Sequence, residues 1–271
     1  MKRSRAASPR LVGVVHLPPL PGSPRARGAA SVLLDEIARG VSRDVATLER
    51  AGFDAVVVEN FGDAPFLPGR VEPITVAAMT RAVFAAREAC GLVVGVNVLR
   101  NDALSAIAIA AATGARVVRI NVHVGAVVAD QGIIEGRAHE TLRARRAWDA
   151  EDVALWVDVD VKHAAPLAPR PIVDVAHDAV LRGFADAVLV TGRATGAPSD
   201  PEDVAVLRGE VGQVPIYVAS GSTPGELPRL AQAGAHGVIV GSWLRKDGRA
   251  GGPIDLRRST TFAKHFRKSF A

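Results

Sequence analysis

The chain has 271 residues, a formal net charge of +5, 4% aromatic residues and one cysteine. The lone Cys90 excludes an intramolecular disulfide and fits a reducing cytoplasm, and no run approaches the ~20 apolar residues of a membrane helix. Basic residues are scattered (Arg143, Arg145 and Arg146 are the densest internal cluster) and aromatics are few, which argues against a nucleic-acid platform and leaves small anions as the expected ligands.

The first ten residues, MKRSRAASPR, are basic and lead into no apolar stretch, so residues 1–10 predict a disordered, solvated tail rather than a secretory signal. From Leu11 to Ala271 one domain is expected, because short β-branched runs alternate with Ala-rich helical stretches and no linker interrupts them. The predicted strands are Leu11–Leu17, Ala55–Val58, Leu92–Val98, Arg116–Val122, Ala154–Val161, Ala187–Thr191, Pro215–Ala219 and Gly237–Val240. The predicted helices are Leu33–Ala51, Pro73–Cys90, Asp102–Thr113, His139–Ala147, Ile172–Arg182, Pro201–Val211, Pro224–Ala233 and Ile254–Phe266. Nearly continuous apolar strands suit a parallel sheet covered on both faces. Eight such units predict a single α/β (β/α)8 TIM barrel; an open dinucleotide-binding sheet would want G-x-G-x-x-G where His16-Leu-Pro-Pro-Leu-Pro-Gly22 stands. Asn101-Asp102, Asp200-Pro201 and the capping-box pattern Thr223-Pro-Gly-Glu226 mark helix starts. Gly52, Gly91, Gly114, Gly183, Gly212 and Gly234 mark helix ends.

The working face of such a barrel is the C-terminal end of its strands. There the sequence places His16, Glu59-Asn60, Asn97 and Asn121 after or within the first four strands. Asp158, Asp160, Lys162 and His163 follow in the fifth, and Thr191 ends the sixth. After the seventh strand Ser220-Gly221-Ser222, and after the eighth Gly241-Ser242, put small residues where backbone N–H groups approach an anion, so both loops are expected to bind phosphate. Tight turns alone would also use Gly and Ser, but two adjacent sites agree.

Strict alternation in Trp156-Val-Asp-Val-Asp-Val-Lys-His163 predicts that Asp158, Asp160 and Lys162 share one face, inside the barrel mouth. The two carboxylates would hold Lys162 charged as an acid or electrophile, or support proton abstraction. A Schiff-base lysine is the alternative, against which the carboxylates speak; a purely stabilising ion network is another. Glu59, ending an all-apolar strand, is the candidate general base, with His16 and His163 as assistants. No zinc pattern is present and no cofactor is expected, although Glu59 and Asp158 could share a Mg²⁺ with a phosphorylated ligand. The long connection from Asn121 to Arg137 reads as a lid with glycine hinges, carrying Asp130, Gln131 and an Arg137 able to close on an anion; a packed excursion is the other reading.

Five of these segments together, Val15-His-Leu-Pro-Pro-Leu-Pro-Gly22, Val58-Glu-Asn-Phe-Gly-Asp63, Asp130-Gln-Gly-Ile-Ile-Glu-Gly-Arg137, Val161-Lys-His-Ala164 and Ala219-Ser-Gly-Ser222, resemble the BtpA/SgcQ family. The resemblance implies a ribulose-phosphate-binding type of barrel. One branch of that family is linked to accumulation or stability of photosystem I, and another sits among sugar-utilisation genes. Residues and resemblance together predict an enzyme acting on a phosphorylated sugar or related metabolite by acid–base chemistry (isomerase, epimerase, lyase or glycosyl-bond type). It is expected to be cytoplasmic and homo-oligomeric, without nucleic-acid binding or membrane insertion. The rival from another class is a non-catalytic factor for a membrane complex such as photosystem I, working through helix-eight residues Arg257, Arg258, Lys264 and Lys268.

Overall fold

Valine-rich runs of three to six residues form eight parallel strands that close into a barrel in the computed structural model, which describes residues 9–192 and 197–271. The barrel strands are, in order, Leu11–His16, Ala55–Glu59, Val93–Asn97, Val117–Ile120, Ala154–Asp158, Ala187–Val190, Ile216–Val218 and Gly237–Val240. The eighth closes on the first through Leu11↔Val238 and Gly13↔Val240. Helices Ala30–Ala51, Pro73–Ala89, Ala103–Thr113, Ala138–Ala147, Ile172–His177, Pro201–Glu210, Leu227–Gln232 and Leu256–Ser269 follow the strands, a π-helical turn Asp178–Arg182 extending the fifth. The predicted barrel is therefore the observed one.

Alternation along each strand sorts the apolar residues into two cores. One set, including Val15, Val56, Val58, Val94, Val118, Leu155 and Val188, packs outward under the helices. The other fills the barrel itself: Val12, Val14, Ala55, Val57, Val117, Trp156, Ala187, Leu189, Tyr217, Ala219 and Ile239. Trp156 stacks on Tyr217 at 4.4 Å near the floor. Continuing the inward period by one step leads to His16, Glu59, Asn97, Arg119 and Asp158, so the same alternation that builds the floor delivers polar groups to the mouth.

Several local expectations are corrected. The fifth strand stops at Asp158, and the chain turns before Lys162, so Asp158, Asp160 and Lys162 do not lie along one strand face. The Asn121–Arg137 connection is a β-hairpin, Ala126–Ala129 with Gly132–Glu135, to which Ala164–Pro166 adds a third antiparallel strand. It is a built element rather than an irregular lid. The seventh helix begins at Leu227 with no side-chain cap, so the Thr223–Glu226 capping box does not form. Asp102 and Asp200 do cap, accepting from Ser105 and Glu202 N–H. Gly52, Gly114, Gly212 and Gly234 take the left-handed conformation, whereas Gly91 and Gly183 do not. Residues 1–8 of the predicted tail lie outside the described residues. Arg10 is bonded to the barrel floor, its N–H donating to Asp54 Oδ2 at 2.8 Å, and Tyr217 Oη donates to Pro9 O at 2.6 Å.

Candidate functional site

A cavity of about 630 Å³ opens at the C-terminal ends of the strands, lined by His16, Glu59, Arg119, Asn121, Lys162, His163, Ser220–Thr223 and Gly241–Trp243, with Asp130 and Gln131 from the hairpin tip. Its most buried wall is an ion pair. Arg119 Nε and Nη2 donate to Asp158 Oδ1 and Oδ2, each at 3.0 Å, and Asn121 Nδ2 donates to Oδ2 at 2.8 Å. Burial opposes the Arg119 charge, but Asp158 and Glu59 outweigh it and keep the guanidinium protonated. Asn97 Nδ2 donates to Arg119 O at 3.0 Å and reaches Asn121 Oδ1 at 3.3 Å, so the two amides hold the pair in place.

Glu59 stands beside this pair but is not consumed by it. Its carboxylate oxygens lie 3.9 Å from Arg119 Nη1 and 4.0 Å from His16 Nε2, distances beyond a direct hydrogen bond. His16 accepts from Gly251 N–H at Nδ1, 3.1 Å away, so the neutral ring carries its proton on Nε2, facing Glu59. Burial, with Arg245, Lys162 and Arg119 nearby, pushes the His16 pKa well below its usual value. The ring packs on Phe61 at 4.5 Å. At neutral pH His16 is thus a hydrogen-bond donor, not a cation.

Lys162 enters from the turn after the fifth strand. Arg100 fixes this turn by donating Nη2 to Lys162 O, and Lys162 Nζ donates to Ala219 O at 2.9 Å. Burial and the positive charge of Arg119 lower the Lys162 pKa to about 8, against the opposing pull of Glu59 and Asp158. Desolvation thus outweighs the pull of the carboxylates, although an amine with a pKa of about 8 is still mostly protonated at pH 7. Asp158 is neutralised by Arg119, which leaves desolvation in control.

The loops after the seventh and eighth strands form the opposite wall. Gly221 sits at φ +61°, and a Cβ there would collide with Ala197 O, so only glycine fits this turn. Ser220 Oγ donates to Ala197 O at 3.0 Å and shapes the turn. Ser222 Oγ is buried in the cavity wall with no partner among the described residues. Because the seventh helix starts only at Leu227, the polar groups at hand are those of the turn rather than of a helix N-terminus. After the eighth strand, Ser242–Leu244 make a 3₁₀ turn. The fully buried Arg245 braces this rim by donating to Gly241 O at 2.6 Å and Val14 O at 2.9 Å.

Other sequence candidates fall outside the cavity. Asn60 is buried, with Oδ1 accepting Leu99 N–H at 2.7 Å and Nδ2 reaching Asp63 Oδ2 at 3.1 Å, so it fixes backbone instead of substrate. Asn97 is committed to Arg119 and Asn121, and Thr191 Oγ1 donates to Asp160 O at 2.6 Å. Asp160 and Arg137 do not line the cavity; Arg137 pairs with Glu140 at 3.2 Å. His163, by contrast, does line the cavity, at its exposed outer rim and with φ +54°. Between the two carboxylates suggested for Mg²⁺ lies Arg119, which ion-pairs with both Glu59 and Asp158. No cluster of three or more His, Cys, Asp or Glu suited to a metal exists among the described residues. Arg25, Phe61, Arg100 and Arg119 line the cavity and were missed. Only Arg119 carried a signal, standing two residues before Asn121 on the inward face of an apolar strand.

A model of the BtpA family matches residues 7–268. An uncharacterised protein of Thermococcus kodakarensis is 44% identical over 262 residues, covering 96% of this chain and 97% of that one. The photosystem I biogenesis protein BtpA of Synechocystis is 41% identical over 252 residues, covering 93% and 86%. Among solved structures, a 3-hexulose-6-phosphate synthase superposes with a TM-score of 0.57 at 15% identity, over 96% of this chain and 100% of that one. An N-(5'-phosphoribosyl)anthranilate isomerase from Pyrococcus furiosus gives 0.56 at 13% identity, over 96% and 99%. At such identities the likeness shows a shared fold.

Proposed function

The chain belongs to the BtpA family, and from that premise we propose that it is an enzyme acting on a phosphorylated sugar or related small metabolite. The observation that carries this reading is the buried Ser222 hydroxyl, without a partner among the described residues, beside the glycine-only turn at Gly221. A buried hydroxyl without a partner costs about 1–3 kcal/mol, and a phosphate oxygen would satisfy it. The turns at Gly221–Ser222 and Gly241–Ser242 would hold the phosphate, while Glu59 and Lys162 face the remaining space and exchange protons with the substrate. Arg119, Asn121 and Asp158 are positioning groups. Isomerisation, epimerisation or bond cleavage next to a carbonyl all fit a carboxylate and an amine that titrates near pH 8. That solved barrels of similar fold include a hexulose-phosphate synthase and a phosphoribosyl isomerase supports this substrate class by analogy.

The test is a thermal-shift screen of phosphorylated sugars and nucleotides against their unphosphorylated counterparts and inorganic phosphate. A ligand at 100 times its Kd adds ~2.7 kcal/mol, roughly 5–11 °C for a chain of this size. A shift that requires the phosphate and disappears in Gly221→Ala is expected. No shift with any phosphorylated compound would overturn the reading. The name of the Synechocystis relative favours a second reading, a non-catalytic assembly factor. Its candidate surface is reduced by the structure, because Arg258 is spent on Trp243, 4.4 Å over the ring and donating to its carbonyl. Full complementation by a chain lacking both Glu59 and Lys162 side chains would favour that second reading.

A further inference from the structure

The cavity is lined by arginines, namely Arg25, Arg100 and Arg119, with Arg245 bracing its rim. Lysine, in contrast, is scarce in this protein. Of 33 basic residues only Lys2, Lys162, Lys246, Lys264 and Lys268 are lysines, and Lys246, Lys264 and Lys268 are exposed. Where a fixed positive charge serves, the chain uses arginine. A primary amine in the mouth brings what a guanidinium lacks, a nitrogen lone pair after loss of one proton.

The surroundings keep that lone pair available. Asp158 accepts from Arg119 and Asn121, and among the described residues it makes no ion pair with the amine. The partner of Nζ is the Ala219 carbonyl, which binds an ammonium more strongly but still accepts from a neutral amine. Ala219 directly precedes Ser220-Gly221-Ser222, so the amine sits beside the turn assigned to phosphate.

We propose that Lys162 is a covalent nucleophile toward the carbonyl carbon of a phosphorylated aldehyde or ketone, forming an imine while the phosphate rests at Gly221–Ser222 and Gly241–Ser242. This rests on the phosphate site above and narrows its substrate to carbonyl-bearing phosphate esters. The amine nitrogen bonds to the carbonyl carbon, and the two amine protons leave with the carbonyl oxygen as water. Glu59, which lines the same cavity and whose charge acts on Lys162, carries a proton from nitrogen to the departing hydroxyl. The imine then withdraws electrons from the adjacent carbon, which is where a proton or carbon–carbon bond becomes labile. Burial and Arg119 lower the Lys162 pKa to about 8, so free amine is present under ordinary conditions.

The test treats the full chain with glycolaldehyde phosphate, or with glycolaldehyde, in the presence of cyanoborohydride, which reduces an imine to a stable secondary amine. Peptide mass spectrometry then reads occupancy at each lysine. Lys162 is expected to be modified at least tenfold faster than Lys246, Lys264 and Lys268 by the phosphate ester, with protection by inorganic phosphate. Its rate should rise to a midpoint near pH 8, and the adduct should be absent at position 162 in Lys162→Arg. Modification of Lys162 no faster than of the exposed lysines, in protein that inorganic phosphate still stabilises thermally, would overturn the nucleophile and leave the phosphate site standing. Equal labelling by both aldehydes without phosphate protection would overturn the phosphorylated-carbonyl assignment and, with it, the phosphate grip.

Discussion

Trp156 and Asp158 lie two residues apart on the inward face of one strand, yet they belong to regions built on opposite principles. Trp156 stacks on Tyr217 in a floor of valines, leucine and alanines, where burial itself is the stabilising force. Asp158 is equally buried, one layer higher, where burial is a cost that Arg119 and Asn121 must offset. The floor gains stability from what it excludes. The mouth retains charges that a merely stable barrel would replace with apolar residues; Glu59 lies 3.9 Å from Arg119 and 4.0 Å from His16, and the Ser222 hydroxyl has no hydrogen-bond partner among the described residues. A polar layer of this kind is what the proposed ligand would require.

The largest effect that would sharpen this contrast is on turnover. Lys162→Ala should lower it by ~10²–10⁴-fold while the melting temperature holds or rises, since a desolvated amine is removed; normal turnover would take Lys162 out of the chemistry. Next come matched substitutions in the two layers. Asp158→Ala should cost ~3–5 kcal/mol by stranding Arg119, and Trp156→Ala about the same by leaving a cavity. Only the mouth should then be rescued by removing the partner: adding Arg119→Met to Asp158→Ala is expected to recover much of the loss, as read by denaturant unfolding. Failure of that rescue would show that the pair is not held by mutual neutralisation.

The mouth should also titrate where the floor does not. The unfolded chain keeps the Lys162 proton up to its ordinary value near 10.5, and the folded chain only to about 8. Across that window the unfolded state binds more protons, so stability should climb as pH rises from about 8 towards 10.5 relative to Lys162→Met. Parallel stability curves for the two proteins would contradict the buried amine. The His16 pKa is likewise depressed, so its contribution is present above pH ~6.5 and is lost as pH falls below it. The smallest effect belongs to Arg137→Ala, which should change stability by less than ~0.5 kcal/mol and leave phosphate-dependent stabilisation intact.

The barrel was legible because period-2 alternation and short punctuated units leave few alternatives, and the same period explains most errors at the site. Glu59 points into the mouth, so its neighbour Asn60 points away and fixes Leu99 instead. Extending strict alternation beyond Asp158 failed because the chain turns there, and Lys162 reaches the cavity from a turn. Arg119 was recoverable from its spacing to Asn121 and Val117. Arg100 was not, since its role depends on a contact with Lys162 O, 62 residues away in sequence, that no local pattern encodes. The phosphate turns stood out because small residues cluster there, although the helix expected to follow them begins later.

The phosphate site is tested most directly by a crystal structure of the full chain soaked in inorganic phosphate. A phosphate is expected within hydrogen-bonding distance of Ser222 Oγ and of the N–H groups at Gly221–Ser222 and Gly241–Ser242, with Lys162 facing the open side. Water alone at those turns, with phosphate bound elsewhere or nowhere, would contradict it.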